Sequence, residues 1–247
     1  VIVDPWFYVV AVPAVLMVGI SKSGFGAGFG SLAVPLMTLA VSVPQAVVIL
    51  LPLLAVMDGF GFTALVKHAD KHLLKLVLPA GLLGTLLGTV LFSILATATV
   101  TVVVGVLTLL FVAQRLLWVP ASDAAPPPRW LGFALATAAG FTSFVSHSGA
   151  PPIMAYVLPL RLRPLQFSAS MAVFFATINL SKWLPYAWLG LIDGANLSTS
   201  LVLMPLAPLG VWIGLRLVRH ISQQLFYRIV TLGMASTGMV LVWRGLN

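Results

Sequence analysis

Cysteine and glutamate are both absent from the chain, and acidic residues of any kind are scarce, with five aspartates in 247 residues. Without cysteine there is no disulfide framework and no thiolate metal site. Without glutamate, and without an HExxH-like spacing, an integral-membrane enzyme has little to build from: it needs a nucleophile–base pair or metal-binding carboxylates near a membrane face. Ser146, His147 and Ser148 are adjacent, but adjacency in sequence is not a catalytic geometry. The chain therefore reads as a non-enzyme that uses no metal and no cofactor. Charge is short overall, at 7% of residues, against about 25% in a soluble domain. That excludes an ordinary soluble fold.

What is there instead is grease: 60% of the residues are hydrophobic and the mean hydropathy is +1.11. The apolar runs are continuous rather than alternating, so a transmembrane β-barrel is excluded as well. The expected fold is an all-α polytopic membrane protein. The net charge of +8 would suggest nucleic acid in a soluble protein; here the basic residues read as loop anchors on the cytoplasmic side of a bilayer. The opening Val1–Pro5 run lacks the basic region that begins a signal peptide.

Apolar runs of about 17–23 residues suit spanning helices, and shorter ones suit helices that dip part-way. The first half divides at 6–21, 29–42, 45–66, 73–92 and 98–117, and the second at 130–144, 150–160, 165–188, 198–217 and 224–243. About ten helical segments are expected. A proline-rich linker at 120–129 separates a first repeat (1–119) from a second (130–247). Gly19 and Gly28 fall on Gly140 and Gly149 at an offset of 121 residues, and the same offset lays Asp58 on Asn179. Pro79, Gly84 and Gly88 fall on Pro205, Gly210 and Gly214 at an offset of 126. Small residues four apart, such as Gly84 and Gly88, permit close helix packing.

Placing the 67–75 loop in the cytoplasm brings Lys67, Lys71, Lys75, Arg115, Arg129, Arg161, Arg163, Arg216, Arg219 and Arg228 to that side, leaving of the 13 basic residues only Lys22, Lys182 and Arg244 elsewhere. Each half then crosses an odd number of times, so the second repeat is inverted and both termini lie outside the cell (inner or plasma) membrane. Each repeat would be a broken helical hairpin followed by three spanning helices. Tryptophans 6, 118, 130, 188 and 243 fall near helix ends, where an aromatic belt belongs.

Two stretches break the pattern. Residues 19–30 carry five glycines and Lys22, and residues 140–152 carry Gly140, Gly149, His147 and two prolines. Irregular backbone at membrane depth survives only when buried in protein or lining a wet cavity, and an ionisable residue there marks a site. A hairpin that turns near the midplane would begin its returning helix near Gly28 in one half and Gly149 in the other. Unpaired N–H groups and the helix dipole at such a start attract anions. Two inverted hairpins aim two starts at one point, the arrangement of a secondary-transporter site.

The substrate-binding candidates are Ser21, Lys22, Ser23, Gly24, Gly26, Gly28 and Gly30 in the first stretch. Ser143, Ser146, His147, Ser148 and Gly149 are the candidates in the second, and Asn179 and Lys182 share one face of a later helix. Asp58 and His147 are the proton-coupling candidates, since carboxylates and imidazoles titrate within reach of physiological pH. Plainer roles stand beside these. Lys22 or Lys182 would snorkel to an interface, His147 would hydrogen-bond a carbonyl, Asp58 would only neutralise a lysine, and the glycines would only pack.

The run Gly-Phe-Gly-Ala-Gly-Phe-Gly-Ser-Leu-Ala-Val-Pro (24–35), its degenerate second copy near 140–152, the two halves and the basic loop between segments three and four resemble the sulfite exporter TauE/SafE family. The resemblance implies movement of small sulfur-containing anions such as sulfite, thiosulfate or short organosulfonates like sulfoacetate. Family members commonly carry a Gly-Gly-Gly run after each motif; here Gly28-Phe29-Gly30 and Gly149-Ala150-Pro151 stand in its place. Partners are then a small anion and the lipid bilayer, with no nucleic acid and with monomer or homodimer left open. A passive anion channel needs the same positive pore without alternating access.

Overall fold

In a computed structural model, the protein is described over residues 1–22, 29–117, 126–217 and 223–247. The described residues are helical, with no strand among them. The first half holds α1 (Pro5–Lys22), a 3-10 turn (Phe29–Leu32) running into α2 (Ala33–Met37), α3 (Val43–Leu65), α4 (Lys71–Ile94) and α5 (Thr97–Leu117). The second holds α6 (Arg129–Ser146), α7 (Ala150–Val157), α8 (Pro164–Ser181), α9 (Trp183–Trp188), α10 (Gly194–Leu203), α11 (Leu206–Leu217) and α12 (Gln223–Leu246). The molecule is a polytopic membrane protein. Among the described residues four helices, α1, α3, α4 and α5, are long and apolar enough to cross a bilayer, and the α10–α11 pair, bent by 40°, makes a fifth.

Local chemistry sets the ends of these helices. Ser42 caps α3, its hydroxyl accepting from the Gln45 N–H at 3.4 Å with Pro44 in the first turn. Asp70 caps α4, one carboxylate oxygen accepting from His72 N–H at 2.8 Å and Leu73 N–H at 3.0 Å. Such caps satisfy amide donors that have no partner inside the helix. The expected uninterrupted segment at 165–188 is instead two helices meeting at Lys182. Pro185 is the cause: it has no N–H for the Ser181 carbonyl and its ring crowds that oxygen, so regular helix ends at Ser181. The expected segment at 198–217 is broken the same way at Met204–Pro205, where Pro205 cannot donate to Leu201.

Glycines hold the two halves together. A side-chain carbon at Gly19 would lie 2.7 Å from the Gly210 backbone, and one at Gly140 or Gly84 would run into the backbone of the other's helix, at Gly81 and at Thr137. The first helix of each half thus lies directly on the fourth segment of the other half, α1 on α11 and α6 on α4. The last helices of the halves, α5 and α12, also pack on each other, as do α3 and α8. A large buried core gathers α1, α2 and the first half of α3, together with Phe92, Phe144 and Tyr186. Phe144 meets both rings edge-on, at 5.8 Å and 4.8 Å, and its carbonyl accepts the Tyr186 hydroxyl at 2.5 Å.

Of the two irregular stretches, the second is described throughout. In the second half α6 stops at His147, which adopts a left-handed conformation with φ 52°. The His147 N–H then donates to the Ser143 carbonyl and the Ser148 N–H to the Thr142 carbonyl, a C-cap that satisfies the last carbonyls of α6. In the first half α1 ends at Lys22 and the chain is helical again from Phe29. The candidates Ser23, Gly24, Gly26 and Gly28 lie outside the described residues. The leading arms α1 and α6 have 18 residues each, or about 27 Å at 1.5 Å per residue. That nearly matches a bilayer core, whereas the returning arms α2 and α7 are only five and eight residues long.

Candidate functional site

A cavity of about 680 Å³ opens between α1, α3, α7, α8 and α11. Ser21, Lys22, Gly30 and Ser31 reach it from the first irregular stretch, and Ser143, His147 and Ala150 from the second. Asp58 and Asn179 face it from α3 and α8. The two stretches therefore share one cavity. Most of the remaining wall is apolar, with Met57, Met154, Met171, Phe167, Phe175 and Trp212 prominent.

One chain of polar contacts runs through the wall. The Lys22 ammonium pairs with Asp58 Oδ1 and sits 5.4 Å over the Phe175 ring. Its side chain is 26% exposed and that of Asp58 only 6%. Asp58 Oδ2 accepts from Asn179 Nδ2 at 2.6 Å, and Asn179 Oδ1 accepts from Lys182 Nζ at 2.7 Å. Lys182 Nζ also donates to Ser143 Oγ at 2.8 Å and lies 3.0 Å from His147 Nδ1. The chain ends where His147 Nε2 meets the Val47 carbonyl at 2.8 Å.

This chain fixes protons as well as positions. A carbonyl can only accept, so His147 Nε2 carries hydrogen. Asn179 Oδ1 accepts too, so Lys182 spends a hydrogen there, and a second goes to Ser143. Only one proton fits between Lys182 Nζ and His147 Nδ1, whichever nitrogen holds it. Three basic side chains, Lys22, Lys182 and His147, thus share one acid, Asp58. Lys182 has no exposed surface and does not line the cavity; its field reaches the cavity through Ser143 and Asn179.

Several candidates have structural work. Ser146 is buried and donates to the Thr142 carbonyl at 3.2 Å within its own helix. Ser148 donates to the Ser31 carbonyl at 3.3 Å, which ties the second irregular stretch to the first. A side-chain carbon at Gly149 would stand 2.6 Å from the Ala139 carbonyl and 2.8 Å from Ser143, so this glycine lets α7 start against α6. Gly30 is free of such crowding, its nearest neighbour being the Ser21 side chain at 3.8 Å. Pro151 and Pro152 occupy the first turn of α7, so two of the amides expected to face an anion do not exist.

A family model described as Sulfite exporter TauE/SafE matches residues 11–241. The chain belongs to the sulfite exporter TauE/SafE family. The match takes in both irregular stretches and every residue of the polar chain of this TauE/SafE protein. Neither a curated protein nor a solved structure matches the chain. Two features of this TauE/SafE protein's site carry no clear sequence signal. The Val47 carbonyl is hidden in an apolar run, and Ser31 is marked only by its place directly after Gly30.

Proposed function

We propose that this protein is a secondary transporter that exports small sulfur-containing anions such as sulfite, thiosulfate or short organosulfonates like sulfoacetate across the cell membrane. The observation that carries the reading is the polar chain from Lys22 to His147, which sets three basic side chains and a single acid beside a cavity fed by both halves. A cavity of about 680 Å³ has room for more than a bare inorganic oxyanion, which favours an organosulfonate with a short carbon body.

Alternating access would come from rocking one repeat against the other about this cavity. The crossed glycine contacts, Gly19 on Gly210 and Gly140 on Gly81, support two inverted repeats, 1–119 and 130–247, because a pseudo-two-fold axis generates contacts in such pairs. With the 67–75 loop and the 120–129 linker in the cytoplasm, both termini lie outside. Asp58 is the coupling residue in this scheme. While ionised it holds Lys22; once protonated, it frees the ammonium for the substrate.

Reconstitution in liposomes tests the reading. Accumulation of sulfite or sulfoacetate against its own gradient, driven by an imposed pH gradient, is the expected result. Movement that only dissipates the anion gradient would identify a channel, and no movement of any sulfur anion would refute the proposal.

A further inference from the structure

Among the described residues, Ser31 Oγ is the one buried side-chain polar atom without a hydrogen-bond partner. Ser31 is 2% exposed, yet it lines the cavity. Leaving a buried hydroxyl unpaired is unfavourable, and native proteins rarely do so without a reason. Ser143, also 2% exposed and lining the cavity, has a related need. Its oxygen accepts from Lys182 at 2.8 Å, and its own hydrogen has no acceptor among the described residues. Both are donors in search of an acceptor. One comes from each half of the chain, and Ser148, bonded to the Ser31 carbonyl, fixes the segments that carry them relative to each other.

We propose that Ser31 and Ser143 form a two-hydroxyl clamp that donates to the oxygen atoms of the substrate's anionic head, with Ser31 the specificity-determining member. This rests on the transporter reading above and deepens it. The ligand class follows from the donors: an ionised oxyanion with at least two acceptor oxygens, sulfite or sulfonate, bound beside the Lys182 and His147 side chains that lie behind Ser143. Lys182 polarises the Ser143 hydroxyl, which makes it the stronger donor. Ser31 has no such backing and gains its partner only when substrate arrives.

The experiment uses the full-length protein in detergent, with sulfite and sulfoacetate as probes, measuring affinity by calorimetry and thermal unfolding without ligand. Ser31→Ala is expected to weaken binding about ten-fold or more, the worth of a hydrogen bond to a charged group. The same variant without ligand should unfold at the same temperature as wild type or higher, because it sheds an unpaired buried hydroxyl. Ser143→Ala should weaken binding and also lower the unfolding temperature, since a Lys182 N–H loses its acceptor. If wild type binds and Ser31→Ala binds within about two-fold of it, the clamp is refuted while the transporter reading stands. A fall in the ligand-free stability of Ser31→Ala would also refute it, by assigning the hydroxyl a structural role. If wild type binds neither probe, the transporter reading falls and the clamp with it.

Discussion

Asp58 and Asn179, 121 residues apart in sequence, are hydrogen-bonded to each other at 2.6 Å across the boundary between α3 and α8. They are also equivalent positions under the offset that relates Gly19 to Gly140. Residues related by a two-fold operation touch each other only on the axis itself, so the contact marks where the proposed axis would pass. Each member of the pair has its own lysine, Lys22 for Asp58 and Lys182 for Asn179. The lysines are not equivalent: the offset lays Lys22 on Ser143 and Gly61 on Lys182. The halves thus reach one polar junction by different substitutions, and only one of them supplies an acid.

That asymmetry makes Asp58 the residue to neutralise first. Asp58→Asn turns the junction into an amide pair and removes the carboxylate that would take up a proton. Exchange of labelled sulfite across liposomes is expected to persist in this variant, while uptake driven by a pH gradient is lost. Measuring both modes on one preparation separates coupling from substrate binding.

Removing Lys22 alone should harm the fold as well as transport. Lys22→Met leaves the Asp58 carboxylate, which is 6% exposed, at the cavity wall with Asn179 as its one remaining partner among the described residues. Removing the partner of a carboxylate that stays this buried costs about 1–3 kcal/mol. The double variant Lys22→Met with Asp58→Asn is expected to recover most of that stability and none of the transport. Thermal unfolding in detergent, read beside sulfite flux, checks both halves of the statement.

Much of this architecture is legible in the sequence, because hydropathy and glycine placement report directly on what a bilayer demands. The ends of α3, α4 and α5 fall within two residues of the expected segments, and the four ionisable groups at membrane depth, Lys22, Asp58, His147 and Lys182, do gather in one network. The breaks at Lys182 and Met204 were hidden for a plain reason. A hydropathy window is blind to the N–H that Pro185 and Pro205 lack, so 165–188 and 198–217 look unbroken. Nor does sequence spacing say which of the adjacent polar residues turns inward. Ser143 on α6 and His147 at its left-handed cap face the cavity, while Ser146 turns into its own helix. The plainer role considered for His147 is also filled, since it does bond a carbonyl, that of Val47.

The crossed glycine contacts give a stability prediction independent of any ligand. Gly84→Ala forces a methyl group into the α6 backbone near Thr137, and overpacking of that kind costs about 1–3 kcal/mol. Gly59→Ala, on a part of α3 with no atom within 4 Å of the new methyl, is expected to be neutral or slightly stabilising. Comparing the two unfolding temperatures against wild type separates backbone contact from general sensitivity to glycine replacement.

The most direct test of the central claim is the position of a bound oxyanion. Selenite, the heavier analogue of sulfite, scatters anomalously and can be located in a crystal of the protein. The account predicts a selenium peak inside the cavity, within hydrogen-bonding reach of Ser31 and Ser143 and close to Lys22. A peak confined to the surface loops, with none in the cavity at concentrations that support transport, would contradict it.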